Sequence, residues 1–139
     1  MSDDSLVVLD TSAAIPLLVA SHEAHELVSN WADGRILGLC GHALVESYSV
    51  LTRLPGDARV APADAVTLID ENFSRHAVLS PSSASQLHRE LERCGVSGGA
   101  SYDGLVGLAA RENDALLVTR DARARATYDA VGARVHLLG

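Results

Sequence analysis

A three-layer αβα sandwich around a central parallel sheet is the fold class that this 139-residue chain predicts, and three observations carry it. Apolar runs of strand length alternate with amphipathic helical segments, the order that a parallel sheet covered on both faces requires. The length closes one core and is short for two, so a single domain over 1–139 is expected. Acidic residues stand where apolar framework gives way to polar sequence, and in parallel sheets ligands gather beyond the carboxyl ends of the strands.

Each element follows from local chemistry. Leu6 to Leu9 is a continuous apolar run suited to a buried strand. Thr11 and Ser12 can cap a helix to about Val19, with Pro16 bending or tightening its first turn. A second helix is expected over His22 to Ala32, stopped by Asp33-Gly34, and Ile36 to Cys40 reads as a strand. His42 to Leu54 is helical and ends at Pro55-Gly56. Pro62 to Phe73 has a helical face of Ala65, Val66, Leu68, Ile69 and Phe73. Ala77 to Leu79 reads as a short strand, and Ser82 or Ser83 opens a charged amphipathic helix to Arg93. Gly95 to Gly99 is a loop. Ser101 caps a helix to about Asn113, Ala115 to Val118 is a strand, Asp121 starts a helix to Ala130, and Arg134 to Leu138 is the last strand.

Composition excludes several function classes. The longest apolar run, Ala13 to Ala20, is far too short to span a bilayer. The opening MSDDS is acidic and lacks an apolar signal-peptide core, so a cytosolic protein is expected. Cys40 and Cys94 lack metal-ligand or CxxC spacing and read as small buried hydrophobes. A net charge of −7 argues against a protein that simply coats nucleic acid. All 11 basic residues are arginine. Without lysine there is no phosphate-binding P-loop, and a receiver-type phospho-acceptor aspartate loses its usual partner. Arg111, Arg120, Arg123 and Arg125 fall near two of the acids in sequence, where a solvated, partly salt-bridged helix face is also a sufficient account.

The acids in question are Asp10 after LVVL, Glu46 in HALVESYSVL, Asp103 in SYDGLVGLAA and Asp121 after ALLVTR. Taken singly, three of them have structural explanations. Asp10, Asp103 and Asp121 sit at helix starts, where amides and the helix dipole favour a carboxylate by ~0.3–1 kcal/mol. Glu46 shares a helical face with His42, Ser49 and Arg53, opposite Leu44, Val45, Tyr48 and Leu51, so periodicity alone makes it solvent-exposed. The combination says more. If the strands before Asp10 and Asp121 are neighbours, their carboxylates share one mouth. Four carboxylates in one pocket repel one another unless a cation offsets them, and an oxygen-only set suits Mg²⁺ or Mn²⁺ rather than Zn²⁺. Thr11, Ser12 and Thr119 can orient the acids or serve as caps.

LDTSA with Asp10, HALVESYSVLTRLP with Glu46, YDGLVGLAA with Asp103 and LLVTRDARA with Asp121 together resemble the PIN-domain ribonucleases, and within them the VapC toxins. The resemblance covers nearly the whole chain in order. It implies a PIN-like sandwich in which the strand before Asp10 lies beside the one before Asp121. It also implies metal-dependent cleavage of RNA, a homodimer, and a small VapB-like antitoxin that blocks the site. By the same resemblance Asp10 and Asp103 hold Mg²⁺ or Mn²⁺ directly, while Glu46 and Asp121 act through water or a second ion. Two other classes stay open at the level of sequence. A haloacid-dehalogenase-like phosphohydrolase would attack phosphate with Asp10, yet the second acid expected two residues later is Ser12. A non-catalytic RNA- or protein-binding domain would have no need of all four acids.

Overall fold

The structure, a computed structural model, describes residues 5–139; the first four, which carry most of the acidic opening, lie outside it. Four parallel strands form one sheet: β1 (Leu6–Leu9), β2 (Ile36–Leu39), β3 (Leu116–Thr119) and β4 (Arg134–Leu137). Their order across the sheet is β2-β1-β3-β4. Leu9 pairs with Leu39 on one side and with Val118 on the other. The connection from β1 therefore runs to one side and the later chain returns to the opposite side. That reversal opens a crevice above β1 and β3.

Alternation along β1 separates two cores. Val7 and Leu9 face a cluster with α1 (Thr11–Leu18), α2 (His25–Ala32), α3 (Ala43–Thr52) and α4 (Pro62–Asn72). Leu6 and Val8 face the opposite cluster, built with α7 (Ala100–Glu112) and α8 (Ala122–Ala130). The expected αβα layering is present. α5 (Pro81–Ser85) and α6 (Leu87–Arg93) flank α7, where Leu91, Val96, Leu108 and Val131 form a satellite cluster.

Several expected elements differ, some for a local reason and some through packing against distant residues. The strand expected over Ala77 to Leu79 is a single bridge between Ala77 and Cys40. The segment before it crosses β2 closely, with the Ser74 and Arg75 amides donating to the Leu37 carbonyl, and only Ala77 continues the ladder. Gly38 makes that crossing possible, since a Cβ there would lie 1.5 Å from the Arg75 carbonyl oxygen. α2 starts at His25 rather than His22, because the His22 ring accepts from the Ala24 amide and closes a separate turn. Ser80, not Ser82 or Ser83, caps the next helical stretch ahead of Pro81, and the stretch breaks at Gln86 into α5 and α6. The N-cap of α7 is Gly99 rather than Ser101. On α3 the inward face is Ala43, Ser47 and Leu51, which rotates Val45 out to solvent against the wheel's expectation. Val66 of α4 is exposed as well. Cys40 is buried as expected, whereas Cys94 is only half-buried.

No helix among the described residues is long and apolar enough to cross a membrane. The tight crossing at Gly38 leads to a prediction. Gly38→Ala should cost about 3 kcal/mol, the upper end of overpacking penalties, because the obstacle is backbone and cannot rotate away. Urea unfolding monitored by circular dichroism measures it.

Candidate active site

The site is organised around the end of β1. Asp10 leaves the strand in extended geometry and caps α1 with its own side chain, the role expected of Thr11 and Ser12. The residue is only 5% exposed. A buried carboxylate needs compensation, and here it accepts four hydrogen bonds. Ser12 Oγ and the Ala13 amide donate to Oδ1 at 2.6 and 3.2 Å, while Thr119 Oγ1 and the Tyr128 hydroxyl donate to Oδ2 at 2.5 and 2.7 Å. Those four fill the lone-pair directions of a carboxylate.

The same hydroxyls shape the neighbouring turn. Ser12 Oγ accepts from the Arg120 amide, Thr119 Oγ1 accepts from the Asp121 amide, and the two oxygens lie 3.2 Å apart. Asp121 caps α8, its carboxylate accepting from the Arg123 amide. Across the crevice Thr11 donates a hydrogen bond to Glu46, joining the start of α1 to α3. Asp103, in the first turn of α7, takes part in none of these bonds.

All four predicted acids line one cavity of ≈ 170 Å³, together with His42, Tyr102 and Tyr128. Glu46 is exposed, as its periodicity indicated, and still reaches this rim. The acids feel one another. Burial, followed by the charges of Asp10, Asp121 and Glu46, holds the Asp103 carboxyl above its ordinary value of 3.8, with His42 working in the opposite direction. Tyr128, buried against Asp10, is pushed well up and stays a neutral hydrogen-bond donor.

No three His, Cys, Asp or Glu side chains among the described residues already converge as a ready-made cation cage. The donor chemistry nevertheless fits a hard divalent ion. The acids supply oxygen alone, and their mutual repulsion, felt at Asp103, is what a cation would relieve.

The arginines divide. Arg123 pairs with Asp121 at 3.6 Å and is otherwise exposed. Arg111 turns away from the acids, donating to the Val131 carbonyl and to Glu90. Arg125 pairs with Asp129, and the Nε of Arg120 is buried without a hydrogen-bond partner. Sequence reasoning missed Tyr128. The signal was there: Ala124 and Tyr128 are four apart on one helical face, and a tyrosine on a buried face requires a partner for its hydroxyl.

A family model described as the PIN domain matches residues 7–130. The chain belongs to the PIN-domain family. This PIN-domain chain is 52% identical over 129 residues to Ribonuclease VapC27 of Mycobacterium tuberculosis, covering 93% of this chain and 94% of the relative. It is 40% identical over 134 residues to Ribonuclease VapC40 of the same organism, covering 96% and 99%. The crystal structure of FitAcB from Neisseria gonorrhoeae superposes with a TM-score of 0.61 at 18% identity, covering 93% of this chain and 95% of that one, a likeness of fold. The VapC-type resemblance read from the motifs is borne out, and PIN membership sets aside the haloacid-dehalogenase-like alternative.

The hydrogen bonds and charges of the site can be tested through stability. Tyr128→Phe keeps the ring and removes one donor to a buried carboxylate, so it should lower stability by about 1.5–3 kcal/mol in denaturant titration. For Asp103 the folded value is raised, so the unfolded chain gives up its proton first as pH climbs past 3.8, and the metal-free fold loses stability until Asp103 itself ionises. Asp103→Asn should therefore melt higher than wild type in EDTA at pH 7, and the gain should shrink as pH falls toward 3.8.

Proposed function

We propose that this PIN domain is a divalent-metal-dependent endoribonuclease and the toxin of a toxin–antitoxin pair. The carrying observation is the ring of Asp10, Glu46, Asp103 and Asp121 around one cavity at the sheet's switch point. The ribonuclease names of its relatives support the substrate class.

Asp10 and Asp103 would hold Mg²⁺ or Mn²⁺, with Glu46 and Asp121 acting through water or a second ion. Bound there, the ion supplies activation of a water nucleophile and offsets charge on the phosphate oxygens. The chain's own residues do the positioning. Tyr128 and Thr119 hold Oδ2 of Asp10 from the buried side, which orients the carboxylate. Ser12 has a second acceptor in Thr119, so its hydroxyl can turn from Asp10 and release Oδ1 without going unbonded. Thr11 steadies Glu46. Arg123 is the arginine best placed to meet a phosphate, since its guanidinium is exposed beside Asp121.

In this reading the protein works in the cytoplasm as a homodimer, held in check by a small VapB-like antitoxin. An antitoxin arginine would pair with the same carboxylates, and an apolar segment would find the exposed Val45 and Val66, which line a groove with Leu44, Tyr48 and Ile69.

Purified protein should cleave RNA with Mg²⁺ or Mn²⁺ and stop in EDTA. Asp10→Asn and Asp103→Asn should each lose at least about a hundredfold in cleavage rate while remaining folded, a loss on the scale of removing one transition-state interaction. Millimolar Mn²⁺ should raise the wild-type melting temperature by mass action. Full activity of either variant in a contamination-controlled assay sinks the mechanism.

A further inference from the structure

We propose that Tyr102, backed by His42, forms a nucleobase subsite at the rim of the acidic cavity, where one unpaired RNA base stacks beside the phosphate to be cut. This rests on the ribonuclease reading above and adds to it the side chains that would hold a base beside the cut.

Among the described residues Tyr102 is the one aromatic ring of Phe, Trp or Tyr type that stands exposed. Phe73 and Tyr128 are buried in the two cores. Tyr48 is half-buried against the first core. Trp31 is taken up by a stacked His136 at 5.1 Å and an Arg35 guanidinium at 4.0 Å. Tyr102 keeps 61% of its surface exposed, although leaving so large an apolar ring in water gains nothing for the fold.

Its place is specific. It precedes Asp103 in the first turn of α7 and lines the same cavity as the four acids. The His42 ring, which precedes α3, lies 5.1 Å from it at a 39° tilt. That contact steadies the tyrosine ring from one side while most of its surface stays open. The two rings come from different helices and meet at this mouth.

Electrostatics favours such a contact. Four carboxylates repel a polyanion, and the exposed guanidinium beside them, Arg123, is already paired with Asp121. Attraction that is indifferent to charge adds to what a bound cation and Arg123 would supply, and base–aromatic stacking is of that kind. The dimensions agree. A cavity of ≈ 170 Å³ is below the roughly 300 Å³ at which pockets begin to enclose a small molecule, so a nucleoside stays on the rim, where Tyr102 stands. A base inside a duplex has both faces covered by its neighbours, so the subsite selects unpaired RNA.

The test uses the full chain in Mg²⁺ with unpaired RNA decamers carrying 2-aminopurine at successive positions, and the same sequences annealed to a complement. Wild type should cleave the unpaired strand and quench 2-aminopurine at one position on mixing, before turnover. Tyr102→Phe should keep the quench and the KM. Tyr102→Ala, an exposed change that leaves the melting temperature in place, should lose the quench and raise KM about tenfold with kcat within about twofold, the pattern of lost uniform binding. Wild type that cleaves no RNA overturns the ribonuclease reading, and the subsite with it. Wild type that cleaves while Tyr102→Ala keeps KM and quench overturns the subsite alone. The subsite is equally overturned if Tyr102→Ala changes only the homodimer or antitoxin complex in gel filtration, which would assign the ring to a protein interface.

Discussion

One buried carboxylate, Asp10, governs the geometry of everything around it. An ion removed from water at the end of a central strand must be met by donors from the chain. Here they come from three elements: Ser12 and the Ala13 amide at the start of α1, Thr119 at the end of β3, and Tyr128 two turns into α8. The demand fixes where α8 lies. It also explains why α7 carries Gly107 against Tyr128, since a Cβ there would come within 3.3 Å of the tyrosine ring and 2.5 Å of Val131. With α7 and α8 so placed, Asp103 and Asp121 reach the rim of the same cavity.

Charge of one sign is concentrated at that mouth, and a paired cluster stands apart from it at Glu90. Glu90 collects both Arg93 and Arg111, and those hydrogen-bonded guanidiniums hold its carboxyl down to about 2. Such exposed pairs add little stability. Their consequence is to take Arg111 away from the acidic crevice, even though the sequence sets it near Asp103. The crevice keeps a surplus of negative charge that a hard cation suits.

Much of this was legible in the sequence because it rests on local rules. The β1 run, the cap at Asp121, the Asp103 first turn and the αβ alternation each follow from a few neighbouring residues. The starts of α2, α5 and α7 were shifted by their own neighbours, whereas other readings that failed depended on distant residues. Ala77 to Leu79 has the composition of a strand, but what crosses Gly38 allows it one ladder position. Val45 fits an apolar stripe, yet the seating of α3 on Ala43, Ser47 and Leu51 turns it outward. Tyr128 offered a signal in its spacing from Ala124, but nothing in the sequence named its acceptor 118 residues away.

The sequence by itself determined the fold class and the strand that ends at Asp10, because periodicity, capping and turn chemistry act over a few residues, while the four acids stood out through the ordered motifs that resemble a PIN domain. Only the tertiary structure decided the register in which β1 and β3 pair, that both oxygens of Asp10 are held by its own chain, and that Tyr102 is left exposed beside the acids. Those outcomes depend on how side chains far apart in sequence share one buried volume and one set of hydrogen bonds, which no local rule encodes.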